Sequence, residues 1–328
     1  MRIIDRVSWR LFITLVVVGG LSNSCTKEVE KEAVDYVNPY MGNISHLLVP
    51  TYPTVHLPNS MLRVRPQRAS YTESRLDGLQ VMMYSHRMPP AFRISCHQGG
   101  QGELKPVISS YYDNEVVKPY FYSVYLDRDQ IAIQFAPSHQ SALYQIAFEG
   151  DDKDKYLVFH AENGELRYAN QTISGYEEIG HQTNVYWYLK LDVAPEQVGY
   201  FQNGLPVFKT EKGREEADII LDFGKQAKEL TAKYGVSFIS VDQATQNLER
   251  EIGDRTLDQV AQAGRSIWNS TLNKIRVQGG TEDQLSIFYT SLYRTYERTA
   301  KISEDGKYWS GFDKQVHEDE GSPFYTDD

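Results

Sequence analysis

The chain has 328 residues, 41% of them hydrophobic, with a formal net charge of −10 and only two cysteines, Cys25 and Cys96. That is enough apolar material for one large domain or two smaller ones. The acidic balance, with no basic run beyond the extreme N-terminus, argues against a nucleic-acid surface. Two cysteines make neither a disulfide framework nor a zinc-binding spacing.

Arg2, Arg6 and Arg10 lead into an apolar core, Leu11–Leu21 (LFITLVVVGGL), too short to span a bilayer comfortably. Leu21-Ser-Asn-Ser-Cys25 follows, with Ser22 and Asn23 where small or branched apolar residues are usual. Residues 1–25 read as a secretory signal and resemble a bacterial lipoprotein signal, with Cys25 as the lipidated first residue of the mature chain. Residues 26–33 (TKEVEKEA) are a short charged tether. A lipid and a tether would hold a soluble domain at a membrane surface without crossing it. The expected location is the cell envelope of a Gram-negative bacterium, anchored at the outer membrane or in the periplasm, or outside the cell.

Pro39, Pro50, Pro53 and Pro58 make Val34–Arg65 a run of extended segments and turns, because proline excludes a long helix or a central strand. Gly78–Ser95 is apolar and aromatic, with a break at Pro89-Pro90, and Gln98–Gly102 is a flexible turn. From Tyr120 the hydrophobic period becomes two. Tyr120–Leu126, a turn at Asp127–Gln130 and Ile131–Phe135 predict a hairpin. Strands follow at Ala142–Phe148, Tyr156–His160, Glu165–Ala169, Thr172–Tyr176, Val185–Val193, Ala217–Phe223 and Gly235–Val241. Many short strands with no helix between them predict a mainly β protein with an N-terminal β-sandwich over residues 34–241.

After Val241 the period becomes helical. Asp242 is placed to cap Gln243–Ile252. Leu257, Val260, Ala261, Gly264, Ile267, Trp268, Thr271 and Leu272 share one face of a second helix. Lys274–Gln278 (KIRVQ) alternates like a short strand, and residues 242–278 form a helical linker. Thr281 and Gln284 are a capping-box signature for a third helix. Its Leu285, Phe288, Tyr289, Leu292, Tyr293 and Tyr296 share one apolar face, with Ile287 the exception on the other side. That face either packs on what precedes it or opens a second domain over 279–328.

Chemistry is harder to place. Glu304, Asp305, Asp313, Glu318, Asp319, Glu320, Asp327 and Asp328 cluster late and read as solvated loop acids. No spacing among them fixes the carboxylate pair of a glycosidase. His317-Glu318-Asp319 are sequence neighbours that point in different directions, a poor metal set. The chain has no nucleophile elbow, phosphate loop or H-E-x-x-H.

The wording of several stretches resembles glycoside hydrolase family 92. Val34–Asn43 (VDYVNPYMGN) is similar to the start of that family. Pro119–Val124, Gly235–Val241 (GVSFISV) and Ala244–Glu251 follow its later segments. Trp268, then Ile275–Gly280 (IRVQGG), then Phe288–Arg294 (FYTSLYR) keep its order. Asp305-Gly306-Lys307-Tyr308 and Tyr325–Asp328 match its D-G-x-Y turn and the opening of a Y-T segment. The resemblance implies a calcium-dependent, inverting exo-α-mannosidase acting on mannose-containing glycans. It also implies linker helices after the sandwich, then an (α/α)6 barrel of which residues 279–328 supply the first helix. The family's acid, base and calcium ligands belong to the barrel beyond Asp328, so none is carried over, and the chain alone is expected to be inactive. Ser85 and His86 correspond to part of the family's G-F-S-H stretch and are the expected substrate contacts. The surrounding loop departs from it, reading Gly78-Leu-Gln before Tyr84. The alternative is a stand-alone carbohydrate-binding or structural lipoprotein.

The signal reading predicts that the protein expressed in a Gram-negative host partitions with membranes, and that Cys25→Ser releases it. Equal solubility of the two forms would refute lipidation.

Overall fold

The computed structural model describes residues 31–44, 51–70, 72–85, 88–208 and 215–327. Cys25 and His86 lie outside them. Alternation sets the strands. In Phe121–Leu126, Tyr122, Val124 and Leu126 are buried, while Phe121, Ser123 and Tyr125 are half-exposed. The strand pairs with Ile131–Pro137 across a turn that Gln130 closes at φ 53°.

Two antiparallel sheets face each other. The larger has ten strands in the order Glu215–Glu216, Gly164–Ala169, Thr172–Glu178, Asn184–Leu191, Glu229–Ser237, Ser141–Phe148, Ile131–Pro137, Phe121–Leu126, Ser109–Lys118 and Arg75–Asp77. The smaller has six, in the order Leu205–Phe208, Gln197–Gln202, Asp218–Asp222, Lys155–His160, Ala91–Gln98 and Leu79–Met82. Between them Trp187 of the large sheet packs on Phe92 and Phe159 of the small one, with ring centroids 4.9 and 5.8 Å apart. Such aromatic pairs add about 0.5–1.5 kcal/mol beyond their burial. This is the expected sandwich, and from Glu32 onward the chain forms one unit.

Some elements differ from the sequence reading. The strand predicted at Gly235–Val241 runs instead over Glu229–Ser237. Helix α1 (Val241–Glu251) is capped by Ser240, whose hydroxyl accepts the N–H of Gln243, so Asp242 lies inside the first turn. Lys274–Gln278 forms no strand, because its alternation meets no neighbouring edge to pair with. Strands at Gln197–Gln202 and Leu205–Phe208 add to the predicted set.

Helix α1 lies on the strand Glu229–Ser237 at closest approach. A Cβ built on Gly235 would stand 2.1 Å from the Ala244 carbonyl oxygen. Helix α2 (Leu257–Leu272) starts in a Thr256–Gln259 capping box and buries Leu257, Val260, Gly264, Trp268, Thr271 and Leu272, the face read from sequence. Helix α3 (Glu282–Thr295) has the predicted Thr281–Gln284 capping box. Its apolar face packs back on the chain before it: Tyr289 and Tyr293 are buried against Trp268, Leu57, Val34 and Tyr36. Ile287, on the other side, is 55% exposed.

Gly235→Ala should therefore cost about 3 kcal/mol by overpacking, since the obstacle is backbone. Gly311→Ala, which meets nothing within 4 Å, is the control and should shift stability by under about 0.5 kcal/mol. Chemical denaturation of the two variants reads both values, and equal midpoints would show that α1 is not seated on Gly235.

Candidate functional site

After α3 the chain returns to one end of the sandwich and is stitched there. The Asn59 N–H donates to Tyr296 O, and the Lys301 N–H donates to Asn59 O, both at 2.9 Å. The Gln140 amide donates to Ser303 O at 2.9 Å, and the Trp309 indole N–H reaches Thr183 Oγ1 at 3.5 Å. Ile302 enters the main core and Tyr308 packs against it. Beyond the turn at Asp305-Gly306, Lys307–Ser310 pairs with Gln315–Glu318, and Phe312 at the tip of this hairpin is 98% exposed.

Glu304 is the residue most misjudged from sequence. It is fully buried rather than solvated. Its carboxylate accepts the Phe238 N–H at 2.9 Å and an Asn247 amide N–H at 2.7 Å. Burial pushes its carboxyl up to about 7. Beside it, both Asp305 oxygens take the Arg250 guanidinium at 2.6 Å, and the same guanidinium donates to Gln140 Oε1 and Asn247 Oδ1. A cavity of about 300 Å³ opens here, lined by His139, Gln140, Arg250, Glu251, Lys301 and Asp305. A larger one, about 530 Å³, lies between the α1–α2 turn and the outer face of the large sheet.

Ser85 is half-buried where the chain leaves the strand Leu79–Met82 at the same end. Neighbouring Tyr84 offers its carbonyl to Arg63 at 3.4 Å, and Arg63 also donates to Glu297 O at 2.8 Å. The chain re-enters the sheet at Ala91, and the next residue, Phe92, is a buried non-glycine residue at φ 55°. Such a conformation costs roughly 1–3 kcal/mol and needs support. Glu177 gives it, accepting the Phe92 N–H at 2.7 Å from a buried position that pushes its own carboxyl up.

A polar junction joins this end to α3. Glu297 Oε1 accepts the Thr54 hydroxyl at 2.6 Å. Arg294 donates to Tyr52 O, Thr54 Oγ1, Glu297 Oε2 and Pro39 O. The remaining late acids stay apart. Asp313 pairs with His317 at 2.8 Å, Glu318 lies exposed in the hairpin, and Asp319 accepts the Gly321 N–H. Among the described residues no three His, Cys, Asp or Glu side chains group to hold a metal ion. Glu177, Glu297 and Arg63 were not singled out in the sequence, which carries no local sign of their burial.

The chain matches two family profiles in order, the "Glycosyl hydrolase family 92 N-terminal domain" over residues 36–237 and the "Glycosyl hydrolase family 92 catalytic domain" over 243–328. No curated protein matches it. Among solved structures it is similar to the family GH92 inverting mannosidase BT2199 from Bacteroides thetaiotaomicron VPI-5482, with a TM-score of 0.81 and 25% identity over 90% of this chain and 44% of that one. It also superimposes on the GH92 alpha-mannosidase BT3965 from Bacteroides thetaiotaomicron, with a TM-score of 0.79 and 20% identity over 90% of this chain and 45% of that one. BT3965 in complex with mannoimidazole matches with a TM-score of 0.78 and 20% identity, over 90% of this chain and 44% of that one. The chain spans less than half the length of the structures it matches.

Removing the Glu177 acceptor should free the strained start of the strand Ala91–Gln98. Glu177→Ala leaves a buried N–H unpaired and should cost about 1–3 kcal/mol, with faster amide exchange at Phe92. Glu177→Gln keeps an acceptor and should retain most of that protection. Unchanged exchange at Phe92 in the alanine variant would show that the bond does not hold the start of that strand.

Proposed function

Because the chain belongs to glycosyl hydrolase family 92, we propose that it is the N-terminal portion of an exo-acting α-mannosidase that releases mannose from mannose-containing glycans with inversion. The observation that carries this reading is the ordered match to both of the family's profiles, over most of the chain. The backbone likeness to an inverting mannosidase supports it. In this reading the sandwich end around Ser85 is one wall of the substrate pocket, with Ser85 and His86 contacting the sugar.

Inversion needs a general acid and a general base roughly 6.5–9.5 Å apart, with a water between base and sugar. The acids described above are committed elsewhere. Glu304 is buried, with its oxygens turned to Phe238 and Asn247, so it cannot reach a glycosidic oxygen. Asp305 is engaged through both oxygens by the Arg250 guanidinium and also accepts a Gln243 amide N–H. Both hold the fold, and the acid and base of the reaction are assigned to the catalytic domain of the whole enzyme. Calcium dependence belongs to the same proposal for the whole enzyme, and no step described here runs through it. We place the protein at the cell envelope, exported by residues 1–25 and held by a lipid on Cys25.

The 328-residue chain alone should release no mannose from α-linked mannosides, with or without calcium. Loss of a general acid or base typically costs about 10²–10⁴ in rate each. A version completed with a full family 92 catalytic domain should release β-mannose first, observed by NMR of the fresh product, and a chelator should abolish the activity. Release of α-mannose, or turnover by the short chain, would overturn the assignment.

A further inference from the structure

One buried side chain touches both parts of the chain that the two family profiles cover. Arg63 lies in the two-residue strand Arg63–Val64. Its neighbours Leu62 and Val64 enter the main core, so strand alternation turns Arg63 the other way, towards the chain that follows α3. Arg63 is buried, and its guanidinium donates to Glu297 O at 2.8 Å and to Tyr84 O at 3.4 Å. Glu297 belongs to the catalytic-domain match, and Tyr84 immediately precedes Ser85 in the N-terminal match. The main chain adds a third tie, the Arg63 carbonyl accepting the Met83 N–H at 2.7 Å. We propose that Arg63 is a positioning residue that sets Ser85 against the catalytic domain, an inference that rests on the mannosidase reading.

The residue type follows from the geometry. A guanidinium presents five N–H donors in a planar fork, so it reaches two acceptors on different segments at once. An ammonium on a flexible stem is a point charge and does not hold both in one fixed arrangement. Both acceptors are main-chain oxygens, so the bonds set backbone position and not a side-chain rotamer. The Glu297 end of the bridge is held independently. Its carboxylate accepts the Thr54 hydroxyl at 2.6 Å and Arg294 at 3.1 Å, and Arg294 also donates to Tyr52 O and Pro39 O. The other end is looser, since the strand Leu79–Met82 has already ended and Ser85 is half-buried. Loss of the guanidinium therefore displaces Tyr84 and Ser85 before it displaces α3. Sugar hydroxyls are recognised through short, directional hydrogen bonds, and a misplacement of about 1 Å is enough to weaken them. Arg63 touches no sugar in this reading and acts through Ser85.

The test is a double-mutant cycle in the enzyme completed with a full family 92 catalytic domain. It is read as KM for 4-nitrophenyl α-mannoside, which does not depend on the fraction of enzyme that folds. Arg63→Met should raise KM roughly 10–100-fold, and Arg63→Lys, which keeps the charge but not the fork, should fall between it and the wild type. In a Ser85→Ala background the same Arg63→Met change should raise KM by less than about threefold, because the contact it positions has gone. A KM unmoved by Arg63→Met or by Ser85→Ala overturns the assignment, and so does an equal fold-increase with and without Ser85. Where Arg63→Met fails to fold, Arg63→Lys carries the same cycle, and a wild-type KM in that variant overturns it. The wild type separates the two claims. If the completed wild type releases no mannose, the functional reading falls and the role of Arg63 with it; if it does release mannose, the cycle judges Arg63 alone.

Discussion

The contact on which the later half of the chain depends is the packing of Tyr293, Trp268 and His56. Their ring centroids lie 4.9 to 5.4 Å apart. Trp268 comes from α2, Tyr293 from α3 and His56 from the proline-rich N-terminal segment. Large rings each bury roughly 150–250 Å² and dominate local packing. Their polar tips are satisfied inside the contact. The Tyr293 hydroxyl donates to Thr54 O at 2.6 Å, and the Trp268 indole N–H donates to His56 O at 2.7 Å. Burial drives the His56 ring down to about 4, so it stays a neutral aromatic at ordinary pH. An irregular segment with almost no ladder of its own thus becomes the partner that α3 requires.

Much follows from that placement. With α3 fixed, Arg294 and Glu297 reach Thr54 and Tyr52, and the carbonyl of Glu297 receives Arg63. The next residues are then delivered to Asn59 and on to the sandwich end. The acids at that end are used to secure this path. Glu177 and Glu304 both sit buried with raised carboxyl values, yet each accepts a main-chain N–H, of Phe92 and of Phe238, that would otherwise be unpaired. A raised carboxyl value is a common mark of catalytic acids, but structural networks produce it too, and access decides between them. Here access is closed, and both acids serve the packing of the sandwich end.

The sequence made the periodic parts legible. Alternation located the hairpin at Phe121–Pro137, and Thr281 with Gln284 marked the start of α3, because both signals are local. It could not show what covers the α3 face, since Val34 and Leu57 are distant in sequence and carry no helical period. Glu304 looked solvated because its neighbours are polar. Its burial depends on Asn247, 57 positions earlier, and on Phe238, 66 positions earlier. KIRVQ shows the opposite failure, a correct alternation with no edge to join. The family resemblance supplied what periodicity could not, a function class, while Ser85 is the one expected substrate contact among the described residues.

Helix α3 and the segment after it are seated on the sandwich as part of one folded unit. Native-state hydrogen exchange measures this most directly, because it reports the opening free energy of each element separately. The amide of Tyr293 should exchange only through the same large opening as that of Ile146 in the strand Ser141–Phe148. An isolated helix of this length would be marginal in water. Exchange at Tyr293 many orders of magnitude faster than at Ile146 would mean that α3 is not docked on the sandwich.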